Sequence, residues 1–374
     1  MRLNEGRIGR QESVSMLGLA LFVSAVFTVN SKDAYGSGNS TYVWLPASVA
    51  LAFLIFWTAA YAMDKCSIQH TGELFSHAFG KVLGSIFTYI LVASLLFSAY
   101  LPLSCFAEMI HNFIFIDSSY IAVTMWMIPV VALLSFWGLE CIGRVSKCFA
   151  AFLAILLLAS FAAPAASFES YRLYPLMGDG INSTISHAVK TVFKLLPALM
   201  AVLGMINGVQ GAVNARKYGI IAAAIALFMC AVTQLTLSLT YTYCDLADMY
   251  APMYRLNMSL LFESYFFRVD KISLFLWLIS GLITAAFYIY AAAILICRQG
   301  KGRDTRPVTL SATTIVFSII LLESSGWYTL INGAAAWLEE YGYLIIAPPI
   351  LFASGIVLLR ERTRAKEGSN EKAA

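Results

Sequence analysis

Basic residues crowd one set of the loops between ten apolar segments of this chain and are sparse in the other, and that alternation leaves few architectures open. The segments fall near 13–30, 42–62, 82–104, 120–138, 143–164, 189–208, 217–243, 271–296, 307–322 and 343–359. Of the 25 Lys and Arg residues, 18 lie on the side shared by the two termini: Arg2, Arg7 and Arg10, then Lys65, Lys81, Arg144, Lys147, Arg216 and Lys217, the run from Arg298 to Arg306, and the tail from Arg360 to Lys372. Lys32, Arg172, Lys190, Lys194, Arg255, Arg268 and Lys271 make up the other side. Short loops rich in Lys and Arg stay cytoplasmic, so both termini are expected there. Loops 31–41, 165–188, 244–270 and 323–342 are expected on the opposite face.

A helical span needs about 20 apolar residues, so ten spans occupy roughly 200 of the 374 positions. Short loops are left, with no room for a soluble catalytic domain. Apolar residues reach 60% and charged residues only 12%, far from soluble averages. The net charge of +4 follows from the loop asymmetry and does not point to a nucleic-acid partner. The first apolar stretch is followed by "NSKD" rather than a small-residue cleavage site, so it reads as a retained span. The expected organisation is one all-α membrane domain over 1–364 and a disordered cytoplasmic tail over 365–374.

Motifs of catalysis are missing. The seven cysteines are scattered without a C-x-x-C, and the four histidines lie in or near loops. Nothing supplies convergent metal ligands, and no cofactor is implied. No phosphate-binding loop, nucleophile elbow or H-E-x-x-H occurs. The central turns of the ten spans carry no Asp, Glu, His or Arg. These readings point away from an enzyme.

Two segments between spans read as interfacial helices: "TGELFSHAFGKVLG" before span three, and the centre of loop 244–270. Segment 323–342 reads as a lid or another interfacial helix. Ten spans divide into two halves of five, and an odd number per half forces opposite orientations, the arrangement of inverted-repeat transporters. There the first helix of each half is broken near the midplane, which here means spans one and six. Span one carries Gly18 and the run Ser24-Ala25-Val26-Phe27-Thr28; span six carries Pro197, Gly204 and Gly208. Pro197 predicts a kink or a break.

Three stretches carry a family resemblance: "EGRIGRQESVSMLGL" at the start, "GLECIGRVSKCFA" at 138–150, and "FESYFFRVDKISLFLWLISGLITAAFYIY" leading into span eight. Their order, the span count and the loop lengths resemble the endospore germination permeases, the B subunits of nutrient germinant receptors. That family belongs to the amino acid–polyamine–organocation superfamily. The resemblance implies a leucine-transporter-like fold, a small nutrient ligand such as an amino acid, an A subunit and a lipoprotein C subunit as partners, and the spore inner membrane. One departure is Val23-Ser24, where the family usually has a Gly-Ser-type pair; it leaves the sharpness of the helix break open.

Depth counted at about 1.5 Å per residue predicts a midplane pocket between spans one and six. Ser24, Ala25 and Thr28 would line it with Leu199, Met200 and Gly204. Ser94 and Phe97 from span three and Thr284 and Tyr288 from span eight would complete it. Glu140 and Arg144 are spaced to pair on one helix face, as an anchor or a gate at the terminus-side mouth. Arg268 and Asp270 would do the same at the opposite end. A nutrient sensor, an ion-coupled amino-acid transporter and a ligand-blind scaffold all fit such a chain. A coupled carrier needs a titratable group beside its substrate. The nearest match to a coupling lysine on span five is Lys147, close to the helix end, and that favours the sensor. A scaffold would fill the pocket with large apolar side chains.

Overall fold

The computed structural model describes residues 6–28, 38–259, 269–300, 302–323 and 327–371. Among these residues it is all helical. The helices are α1 (Arg10–Val26), α2 (Thr41–Lys65), α3 (Thr71–Phe79), α4 (Lys81–Phe113), α5 (Tyr120–Trp137), α6 (Leu139–Ala162) and α7 (Ile181–Gly204), followed by α8 (Ala212–Thr240), α9 (Tyr243–Asp248), α10 (Pro252–Ser259), α11 (Val269–Gln299), α12 (Arg306–Glu323) and α13 (Tyr328–Glu371). Among the described residues nine helices are long and apolar enough to cross a membrane; α1, with 17 residues, falls one short of that length. With α1 these are the ten expected spans.

The long helices divide by how much they bury. Over their 18-residue apolar stretches, α7 and α11 bury 72% of residues, against 28% in α5 and α6. The first pair is therefore the core of the bundle. α5 and α6 turn side chains such as Trp126 and Ile155 outward, as a lipid-facing surface requires. Short helices interrupt the two halves at matching places: α3 sits between the second and third long helices of the first half, and α9 and α10 between those of the second. That correspondence is what two inverted repeats would leave.

The α3 helix forms where the amphipathic segment predicts it. Its N-cap is His70, whose Nδ1 accepts the Glu73 backbone N–H at 3.1 Å. Burial first, and the nearby Arg298 guanidinium second, push the His70 pKa down to about 4, so the imidazole stays neutral and able to accept.

Three expectations change. α7 starts at Ile181, inside what reads as loop, and runs unbroken through Pro197 to Gly204. A proline removes one helix hydrogen bond without ending a helix whose surroundings hold it on every side, and residues 191–204 are all buried. Segment 328–342 is no separate lid, because α13 is one 44-residue helix that takes in that segment and the last span. The same helix continues to Glu371 through the stretch expected to be disordered.

Candidate ligand-binding cavity

α1 stops at Val26, and its last carbonyls have to find partners outside the helix. Thr28 Oγ1 donates to the Ser24 carbonyl at 2.5 Å. The Cys105 thiol of α4 donates to the Phe27 carbonyl at 3.0 Å. Lys194 Nζ, from α7, donates to the Thr28 carbonyl at 2.7 Å and pairs with Glu339 of α13 at 3.0 Å. The Lys194 side chain is only 8% exposed, so this is an ion pair largely removed from water. A cation at the negative end of α1 is also where the helix dipole favours it.

Above this junction, on the face opposite the termini, lies a cavity of about 520 Å³. That size suits a small organic ligand. Val26 at the end of α1 and Phe27 and Thr28 just after it contribute one side, and α4 contributes Tyr100, Ser104 and Glu108. Glu323 closes it from the end of α12, Asn332 and Glu339 from α13, and residues 247–254 roof it. Ser104 Oγ donates to Glu323 at 2.9 Å, and the Tyr250 hydroxyl donates to Glu108 at 3.4 Å. Burial, then the neighbouring Cys105 and Glu108, hold the Tyr250 hydroxyl well above the usual tyrosine range, so it remains a donor. Phe27 forms an apolar side wall, its ring 5.1 Å from Trp277 and 5.2 Å from Phe106.

The residues expected to line a pocket separate into three sets. Thr28 lies on the cavity wall. Ser24 and Tyr288, from helices far apart in sequence, meet one turn of α1 deeper, with their hydroxyls 2.8 Å apart and both side chains buried. Ala25, Leu199 and Met200 are fully enclosed in the core. Gly204 is a close-packing position, since a Cβ there would stand 3.3 Å from Leu295. Ser94 and Thr284 use their hydroxyls on the carbonyls of Leu91 and Ser280 in their own helices. Phe97 packs at a tilt against Tyr100 and Phe193. The cavity therefore sits nearer the opposite face than depth counting placed it.

The charges at the cavity form no pattern along the chain. Lys194 lies inside span six, one turn before Pro197. Glu108, Glu323 and Glu339 stand just beyond the apolar windows, where acids read as ordinary interfacial residues. Lys194 and these three carboxylates put titratable groups beside the cavity.

At the terminus-side end the same helices are shut. The Arg7 backbone N–H donates to Glu140 Oε1 at 3.0 Å, and Ile8 N–H donates to the Gly208 carbonyl at 3.0 Å. Ile8 is buried. A Cβ on Gly208 would come within 2.4 Å of Leu139, so only glycine fits that seam without movement. Glu140 thus fastens the segment before α1, while its contact with Arg144 is a long 3.6 Å pair with both side chains well exposed. Pro197 is enclosed within α7. Arg268 lies outside the described residues, and Asp270 falls in the first turn of α11.

A bundle of membrane-spanning helices, closed at one end and holding a cavity of mixed polar and apolar lining toward the other, is the arrangement of a membrane permease or transporter. The chain matches the spore germination protein family over residues 12–326 and belongs to it. Among solved structures it is similar to a nucleobase-cation-symport-1 family transporter in a closed conformation with bromovinylhydantoin bound. The identity is 12%, with 90% of this chain and 77% of that one covered and a TM-score of 0.61. It is also similar to the Eremococcus coleocola manganese transporter in complex with an aromatic bis-isothiourea compound, at 11% identity, 93% and 76% coverage, and a TM-score of 0.53. These likenesses establish the leucine-transporter-type fold. No curated protein matches the chain.

Proposed function

We propose that this protein is the membrane subunit of a nutrient germinant receptor, which binds a small nutrient such as an amino acid in the cavity above α1 and passes the event to partner subunits. The observation that carries this reading is the cavity itself: it is ligand-sized, it sets carboxylates and hydroxyls among apolar side chains, and it lies beside the end of α1 in a chain of the spore germination family. A scaffold blind to ligands would have packed that space with apolar side chains. Residues 1–364 act as one membrane domain in the spore inner membrane with cytoplasmic termini, in keeping with the distribution of basic residues. The partners are the A subunit and the C lipoprotein, reached through the basic loops at 209–217 and 298–306. Ligand bound beside Thr28 biases α1 and α7 between two arrangements by binding one more tightly.

An ion-coupled amino-acid transporter is the second reading, and Lys194 with its carboxylate neighbours favours it, because a titratable group at the site is what coupling requires. Spores lacking the gene, tested against amino acids, sugars and nucleosides, should lose the response to one nutrient class; an unchanged response to all three would contradict the receptor reading. Purified protein in liposomes then separates sensor from carrier. Gradient-driven accumulation of the identified nutrient would establish transport.

A further inference from the structure

We infer that the cavity recognises its ligand through a protonated amine, held by Glu323 and Glu108. This deepens the nutrient-binding reading and rests on it. Both carboxylates face the cavity, one from α12 and one from α4. Among the described residues neither belongs to an ion pair, whereas Glu339 on the same wall is matched by Lys194. Glu323 is 6% exposed and its hydrogen-bond partner, Ser104, is neutral. A buried carboxylate without a cation is costly, and a cationic ligand removes that cost.

The surrounding backbone adds to the same field. Glu323 is the last residue of α12, the negative end of a helix, where an acidic side chain opposes the dipole and a cation is favoured. α1 ends at the same cavity, and the later part of α8 reaches it through Gln234 and Leu237. The protein already shows how an ammonium binds here: Lys194 takes one helix-end carbonyl and one carboxylate. Among the described residues no Lys or Arg lines the cavity, so none is placed there to bind a ligand carboxylate. Among the described residues no three His, Cys, Asp or Glu side chains converge to chelate a metal. An organic ammonium, which needs two or three acceptors, suits the arrangement better than a divalent ion.

The test uses the full chain in lipid nanodiscs, with native cysteines replaced and Asn332→Cys introduced in the cavity wall. Protection of that thiol from an impermeant reagent is measured with propylamine, alaninamide, alanine, N-acetylalanine, propionate and manganese chloride. Amine-bearing probes should protect, and N-acetylalanine, propionate and manganese should not. Glu323→Gln and Glu108→Gln should each raise the protecting amine concentration about tenfold or more, as loss of one charge-assisted hydrogen bond implies. Glu340→Gln should leave it unchanged. Equal protection by N-acetylalanine or propionate, protection by manganese alone, or amine protection unaffected in both carboxamide variants would overturn the amine assignment while leaving the cavity as a binding site. Protection by none of the probes would overturn both.

Discussion

The two ends of the bundle treat the same helices in opposite ways. At the terminus side, α1, α6 and the turn after α7 meet through backbone hydrogen bonds and a glycine seam: Ile8 to Gly208, Arg7 to Glu140, Gly208 against Leu139. At the other end a cavity beyond α1 holds carboxylates and hydroxyls, and Lys194 of α7 fastens the chain after α1 beside it. The closed end is specified by shape and the open end by charge. A membrane protein that admits a solute from one side needs this division, because polar groups at bilayer depth are tolerable only where they line a cavity or are buried in protein.

The largest effect should come from the charged end. Lys194→Met leaves Glu339 and the Thr28 carbonyl unmatched, and should lower stability by about 3 kcal/mol. Lys190→Met breaks a pair with Glu340 that is far more exposed, and should cost about 1 kcal/mol or less. Thermal unfolding in nanodiscs compares them; equal losses would mean that Lys194 is no special anchor. At the shape-specified end, Gly208→Leu forces a side chain into Leu139 and should cost about 2 kcal/mol, the usual range for overpacking. A fully stable Gly208→Leu would show that the seam can yield.

Between the two ends lies the Ser24–Tyr288 contact. Ser24→Ala strands a buried phenol and should cost about 1–2 kcal/mol, while adding Tyr288→Phe should recover part of that loss, since removing both partners leaves nothing unsatisfied. Strict additivity of the two substitutions would argue against the bond.

A further effect depends on pH. The folded His70 pKa, about 4, lies below its ordinary 6.5, so the unfolded chain binds the extra proton first. The α3 cap is therefore at full strength above pH 6.5 and weakens as pH falls toward 4. His70→Asn keeps an N-cap acceptor without titrating, and should flatten that part of the stability profile. A profile unchanged by the substitution would contradict the neutral cap.

The sequence reveals whatever depends on hydrophobic period and loop charge. The ten spans and the α3 helix are legible there, because each follows from local composition. The pairing of Ser24 with Tyr288 was legible only as two residues of suitable depth, since no pattern announces a contact between positions 24 and 288. Lys194, Glu108 and Glu323 were not legible as a group. Each lies singly near a helix end or a proline, and only packing shows that they share one space. The continuity of α7 through Pro197 was hidden for a related reason: local preference predicts a break, and burial on every side overrides it.

Access from one side is the central claim, and thiol labelling from each face of the membrane tests it most directly. In a cysteine-free background, Asn332→Cys lies on the cavity wall and Val209→Cys in the closed seam, where Val209 is 1% exposed. An impermeant reagent should modify Asn332→Cys only from the face opposite the termini and should modify Val209→Cys from neither. Labelling of Asn332→Cys from the terminus side, or of Val209→Cys from either face, would contradict it.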